Sequence, residues 1–250
     1  MNEVKHSFDG RKRFRLVVCK VLQREAYYCA ARSRNTVDVA LMPQGLHNYP
    51  DDLRSKVQKD LEITMDPQDR PYDALLLGYG LCSNGLDGIS APITTVIPRG
   101  HDCMTLLLGS KEKYRDYFDS HRGIYWYSAG WIESTLQPGK ERYENTLQEY
   151  TEKYGEENAE YLMQLEQGWM KEYRHATYVD WGFPESPKYR SFTQECADYL
   201  GWEYEELKGD PSLMQRLVDG EWDDDSFLVL KPGQRARADA AKPTIIRAED

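Results

Sequence analysis

No apolar run in the 250-residue chain approaches the roughly 20 residues that a membrane-spanning helix requires. The opening stretch, MNEVKHSFDGRKRFRLVV, also lacks the apolar core and small-residue cleavage site of a secretion signal. A soluble, cytoplasmic protein with no membrane contact is the expectation. An excess of positive charge is missing too. Lys and Arg number 32 against 42 Asp and Glu, a formal net charge of −10, which disfavours nucleic acid as a partner because phosphate binding needs a basic footprint. Basic side chains gather early, at Arg11, Lys12, Arg13 and Arg15, so residues 1–12 read as a basic leader. There is no CxxC pair, and five cysteines, an odd number, do not make a disulfide framework.

What is present is a core-forming pattern, with 40% apolar and 12% aromatic residues. RFRLVVC (13–19), TVDVALM (36–42), YDALLLG (72–78) and ITTVIP (93–98) read as strands, and IYWYSAG (124–130) as a fifth. Helical spacing appears over 21–32, 51–61, from 102 and over 111–118. YDALLLG is almost continuously apolar, as a strand covered on both faces should be. The alternation indicates an α/β fold of Rossmann-like βαβ units in mostly parallel sheet. Residues 13–139 form a first lobe. Residues 140–174, rich in Glu and free of Pro, form an inserted long amphipathic helix or a helix pair broken near Gly155, which packs on a core or serves a homodimer surface. The βα rhythm resumes over 175–231, as a second similar lobe or as part of one sheet. Residues 232–250 show no packable pattern and read as a disordered tail.

In open parallel sheets ligands bind beyond the carboxyl ends of the strands. Cys19 closes the first strand, GYGLCSNG brings Cys82 after the third, and PRGHDC brings His101, Asp102 and Cys103 after the fourth. Thiolates with imidazole suit Zn²⁺, so Cys19, Cys82, His101 and Cys103 are the candidate metal ligands. His101 and Cys103 share a face if the chain is extended there and diverge if a helix has begun. Asp102 then orients His101 or caps the helix. Gly78, Gly80 and Gly85 loosely suggest a phosphate-cradling turn, with Arg99 as an anion partner. The segment lacks both P-loop and GxGxxG spacing, so free φ and close backbone approach are the competing reading. Asp180, in YVDWG at a later strand end, is either a general base or a turn cap. His47 in GLHNYP is a weaker site candidate, and Cys29 and Cys196 read as helix-packing thiols.

LLLGYGLCSNGLDGI, VIPRGHDCMTLLLGS and YWYSAGW resemble the signature stretches of the DUF1638 family, a domain of unknown function in bacteria and methanogenic archaea. VVCKVLQRE and GLHNYPDDL are similar to its first strand–helix and its early His-containing loop, and the resemblance spans roughly residues 13–230. It implies that Cys82, His101, Asp102 and Cys103 occupy motif positions, with Cys19 and His47 matching more loosely. It also implies an association with corrinoid-dependent methyltransferase systems. The expectations are a zinc-binding protein acting on a small molecule in one-carbon or methyl-group metabolism, or a non-catalytic accessory module that docks a corrinoid protein or methyltransferase. A corrinoid, haem or iron–sulfur group is the alternative cofactor, and metal-free thiol chemistry at Cys82 or Cys103 a third reading.

Overall fold

Arg13–Cys19 (β1) carries alternating and then continuous burial, and Leu16, Val17 and Val18 have no exposed surface. Burying each such side chain contributes about 1.5–3 kcal/mol, which makes β1 the axis of a sheet. In a computed structural model, describing residues 10–239 and 244–250, β1 is flanked on both sides by parallel strands. Thr36–Met42 (β2) lies on one side and Ala74–Gly78 (β3), buried throughout, on the other. Thr95–Pro98 (β4) pairs parallel with β3, and Phe227–Leu230 (β8) closes the edge antiparallel to β4. The order is β2-β1-β3-β4-β8.

Helices cover this sheet where apolar spacing supplies a face. Gln23–Arg32 (α1) buries Ala26 and Cys29, and Pro50–Asp60 (α2) buries Leu53 and Val57, with Pro50 in its first turn. Cys103–Leu108 (α3) is capped by the Asp102 side chain, which accepts from the Met104 N–H at 2.9 Å. Ser212–Asp219 (α9) buries Leu213, Met214, Leu217 and Val218 and ends at Gly220, whose φ of 79° is left-handed.

The described residues fall into two units. One comprises the chain up to Ser110 together with Pro211–Asp250; the other is Lys111–Asp210. The second has its own parallel sheet, Ile124–Tyr127 (β5), His175–Asp180 (β6) and Glu203–Lys208 (β7), in that order. Its helices are Lys111–Ser120 (α4), Ala129–Ser134 (α5), Lys140–Tyr154 (α6), Glu156–Glu166 (α7) and Ser186–Leu200 (α8). Its core gathers Tyr127, Ala176, Tyr178, Tyr189, Cys196 and Ala197.

The α/β class with mostly parallel sheet is as the sequence indicates, but three assignments change. The strand at 124–127 belongs to the second unit. Pairing partners rather than chain order decide sheet membership, and β5 pairs with β6. The strand at 227–230 returns to the first unit, where its apolar side chains cover the open edge of β4. Of the two arrangements expected for residues 140–174 the helix pair is the one adopted, as Lys140–Tyr154 and Glu156–Glu166 broken at Gly155, where φ is 81°. The pair is cross-tied by Arg142 and Tyr150 on Glu166, each at 3.0 Å.

The third change concerns the tail. Arg235–Asp239 (β9) and Ile245–Glu249 (β10) form an antiparallel hairpin with Ala236, Ile245 and Ile246 buried. Three apolar side chains suffice because the backbone of β9 also pairs with residues 87–91. Most of the basic leader, residues 1–9, lies outside the described residues. Among the described residues no helix is long and apolar enough to cross a membrane.

Candidate functional site at the strand ends of the first unit

In the order β2-β1-β3-β4 the first strand sits between the second and third, so the connections leave it in opposite directions. The crevice beyond the carboxyl ends of β1 and β3 is the topological switch point, where such sheets hold ligands. The pairing of Val18 with Gly78 brings the next residues, Cys19 and Tyr79, to this crevice together. The same register explains Gly78, since a Cβ there would stand 2.5 Å from Val18 Cγ2.

Beyond Tyr79 the chain runs against the loop that follows β4. The Leu81 N–H donates to the Gly100 carbonyl at 2.7 Å and the Cys82 N–H to the His101 carbonyl at 2.8 Å. Gly80 is required for that approach, because a Cβ would lie 2.6 Å from the Asp102 nitrogen. Cys82, Ser83 and Asn84 then adopt φ of 46°, 54° and 64°, three consecutive non-glycine residues in the left-handed region. Each costs about 1–2 kcal/mol there, so the turn persists only because its surroundings fix it. The Gly85 N–H closes it on the Cys82 carbonyl at 2.9 Å, Arg54 of α2 donates to the Asn84 carbonyl at 3.1 Å, and Leu53 fills the space a Cβ on Gly85 would need.

The result gathers polarizable groups in a dry place. Tyr79 is 3% exposed, and its hydroxyl has no partner in hydrogen-bonding geometry. Burial pushes that hydroxyl up, and its position beside Cys19, Cys82 and Cys103 raises it further. Burial also raises the Cys19 thiol, opposed by the Val21 N–H and the Tyr79 hydroxyl. The Cys82 thiol is raised by burial first and then by Asp102 and Cys19. Burial lowers His47, half-buried after β2, while Asp102 raises it. Four strand ends thus contribute to one neighbourhood in which Cys19 and Cys82 stay protonated at neutral pH. The Thr105 hydroxyl, on α3 beside Gly100, is a second buried group without a partner.

The structure therefore places Cys19, Cys82 and Cys103 within electrostatic reach of Tyr79, and Asp102 and Cys19 within reach of Cys82. His101 is exposed at the bend before α3, which begins at Cys103, so the extended arrangement with both side chains on one face is not the one adopted. Among the described residues no three His, Cys, Asp or Glu side chains form a group that could hold a metal ion. The glycine reading resolves toward protein packing, because the space beside Gly78, Gly80 and Gly85 is filled by Val18, Asp102 and Leu53. Arg99 does not face an open anion site either. Its guanidinium donates to the carbonyls of Asp224, Thr244 and Ile246.

Asp180 belongs to the second unit, and its carboxylate is fully engaged. It accepts from the Gly182 N–H at 2.9 Å, from Ser186, from the Tyr178 hydroxyl at 3.4 Å and from Arg190. This is the arrangement of a turn cap linking β6 to α8.

Sequence reading passed over Tyr79, although its place inside GYGLC was a usable signal. It also passed over a knot at the amino edge of the second sheet. There Glu205 faces His121 at 3.5 Å and His175 at 3.6 Å, and accepts from the Tyr117 hydroxyl. These residues lie far apart in the sequence; the pairing of β6 with β7 brings His175 near Glu205, and Tyr117 and His121 reach it from the end of α4. They occupy the edge opposite the one at which parallel sheets bind ligands.

A mostly parallel α/β sheet with buried thiols beyond the carboxyl ends of its strands is the class that this fold and site define. The family described as "Protein of unknown function (DUF1638)" matches residues 41–218, and the chain belongs to it. Cys82, His101, Asp102 and Cys103 lie within the match, whereas Cys19 and everything from 219 onward lie outside it. No curated protein and no solved structure matches the chain.

Proposed function

We propose that the protein binds a small molecule of one-carbon or methyl-group metabolism at the strand-end crevice of its first unit, with a soft metal ion, zinc foremost, attached through Cys19, Cys82 and Cys103. The observation supporting this reading is the buried Tyr79 hydroxyl, which interacts with the Cys19 thiol and lies within the influence of Cys82 and Cys103 at the switch point. Thiols raised by burial are poor nucleophiles on their own, which weighs against metal-free thiol chemistry. A soft cation is what converts such thiols into ligands, because coordination deprotonates them outright. Since no three candidate ligands are grouped in the metal-free arrangement, closing the site takes a shift of the Cys82 or Cys103 loop, or a donor atom from the bound molecule.

Elemental analysis with a visible spectrum of freshly purified protein tests this. The expected result is about one zinc per chain and no colour, lost in Cys82→Ser. Metal-free protein that is unaltered by Cys82→Ser overturns it. A coloured protein instead favours the second reading, a non-catalytic module for a corrinoid, haem or iron–sulfur group that docks a corrinoid protein or methyltransferase. The observation favouring that reading is the exposure of Tyr161 (62%) and Leu165 (60%), one turn apart on α7. The same pair is the surface that a homodimer would use.

A further inference from the structure

The strained turn carrying Cys82 and the loop carrying Cys103 are both tied to one element, the C-terminal hairpin. On the Cys82 side, the Gly88 N–H donates to the Ala236 carbonyl at 2.7 Å and the Ala236 N–H to the Ile89 carbonyl at 2.9 Å. The Ala238 N–H donates to Asp87 at 2.9 Å, and Arg237 faces Asp87 at 3.7 Å. Residues 87–91 begin two positions after the glycine that closes the left-handed turn. On the Cys103 side, Arg99 reaches the Thr244 carbonyl at 3.0 Å and also the Ile246 carbonyl. Arg99 is two residues before His101, whose carbonyl holds the Cys82 N–H.

We infer that the C-terminal hairpin is a strap over the candidate site: it fastens both thiol-bearing loops at once, and its release exposes Cys82 and Cys103. Three features fit a detachable element rather than a part of the core. The hairpin forms its own two-stranded sheet and adds no strand to the five-stranded one. Two-stranded hairpins are marginal by themselves, so this one depends on the side bonds just named together with the burial of Ala236, Ile245 and Ile246. It lies beyond residue 218, where the family match stops. Local opening of this kind has a free energy below that of global unfolding. The inference rests on the proposed site only in taking Cys82 and Cys103 as its thiols.

Thiol labelling of the full-length, metal-free protein tests it, with sites assigned by peptide mass spectrometry. Because no metal enters this measurement, its failure is separate from failure of the metal reading. Arg99→Gln removes the clamp from one loop and Asp87→Ala removes it from the other. Each is expected to raise labelling of Cys82 and Cys103 by iodoacetamide about tenfold, with Cys29, fully buried in the same unit, unchanged as an internal control. If Arg99→Gln fails to fold, Asp87→Ala alone decides. Unchanged labelling of Cys82 and Cys103 overturns the inference, and so does labelling of Cys29 that rises in step with theirs, since that outcome means general loosening.

Discussion

The Cys82 N–H and the His101 carbonyl, 2.8 Å apart, join two loops that leave adjacent strands of the first sheet. Through that bond the loop carrying Cys82 meets the backbone two residues before Cys103, although 21 positions separate the two cysteines in the chain. Everything chemically distinctive about the crevice depends on how tightly the two loops are pressed together, and this can be probed directly.

Gly80→Ala places a Cβ against the backbone nitrogen of Asp102, where no flexible side chain can yield. A loss of about 1–3 kcal/mol in urea unfolding is expected. Gly168→Ala, where nothing stands within 4 Å of the added carbon, is the control and should be nearly neutral.

The left-handed turn makes an opposite pair of expectations. At Ser83, with φ of 54°, glycine removes the steric penalty and should stabilise by about 0.5–1 kcal/mol after its greater unfolded-state entropy is counted. Ser83→Val, which is β-branched, should cost about 1–2 kcal/mol. Chemical denaturation of both variants at one pH decides.

Asp180→Ala leaves Arg190, Ser186 and the Gly182 N–H without their shared acceptor. A cost of about 2–4 kcal/mol in urea unfolding is expected. Asp180→Asn, which keeps an acceptor for the turn, should lose less. Equal losses would mean that charge, rather than capping, dominates.

Two thiols should be inert for a physical reason that a pH series can read. Burial, then the charges of Glu25 and Asp219, push Cys29 up to about 12, and burial pushes Cys196 up to about 11. At pH 8 only about one Cys29 in ten thousand and one Cys196 in a thousand is thiolate. Alkylation of both should be slow and rise about tenfold per pH unit up to pH 10. A plateau near pH 8 for either would contradict this.

Acid should act through Asp66. Burial alone would raise its carboxyl, but hydrogen bonds from the Arg70 side chain and from the Arg70 and Gln68 N–H groups bring it down to about 2. Its folded value is below the unfolded one, so its stabilisation is fully present above about pH 4 and lost as pH falls through 2. The melting temperature should fall over that window, and less steeply in Asp66→Asn. A difference in slope at pH 6–8 would assign the effect to another group.

Most individual elements were legible because their signals are local. Continuous burial in β3, the apolar spacing of α2 and α9, and the Asp102 cap can be read from a few neighbouring residues. Strand order was not legible in this way, since nothing in RFRLVVC says that it pairs with both TVDVALM and ALLLG. The placement of β5 and β8 in different sheets followed the same blindness to pairing. The thiols were found because cysteines after strands are conspicuous, but the turn holding Cys82 was not. Ser83 and Asn84 are ordinary loop residues, and their left-handed conformation is imposed by Arg54, Leu53 and the 100–101 backbone. The hairpin at the end was missed because its support is main-chain bonding to residues 87–91, which leaves no hydrophobic periodicity to detect.

The return of β8 to the edge of β4 also sets a timetable for synthesis. The ribosome must add well over a hundred residues after Pro98 before Phe227 emerges, about 6–25 s at ordinary elongation speeds. During that interval β4 is an uncovered, largely apolar edge, open to pairing with other chains. A nascent chain stalled anywhere within the second unit therefore presents an adhesive strand, and aggregation of such fragments is the failure to which this chain connectivity is most exposed.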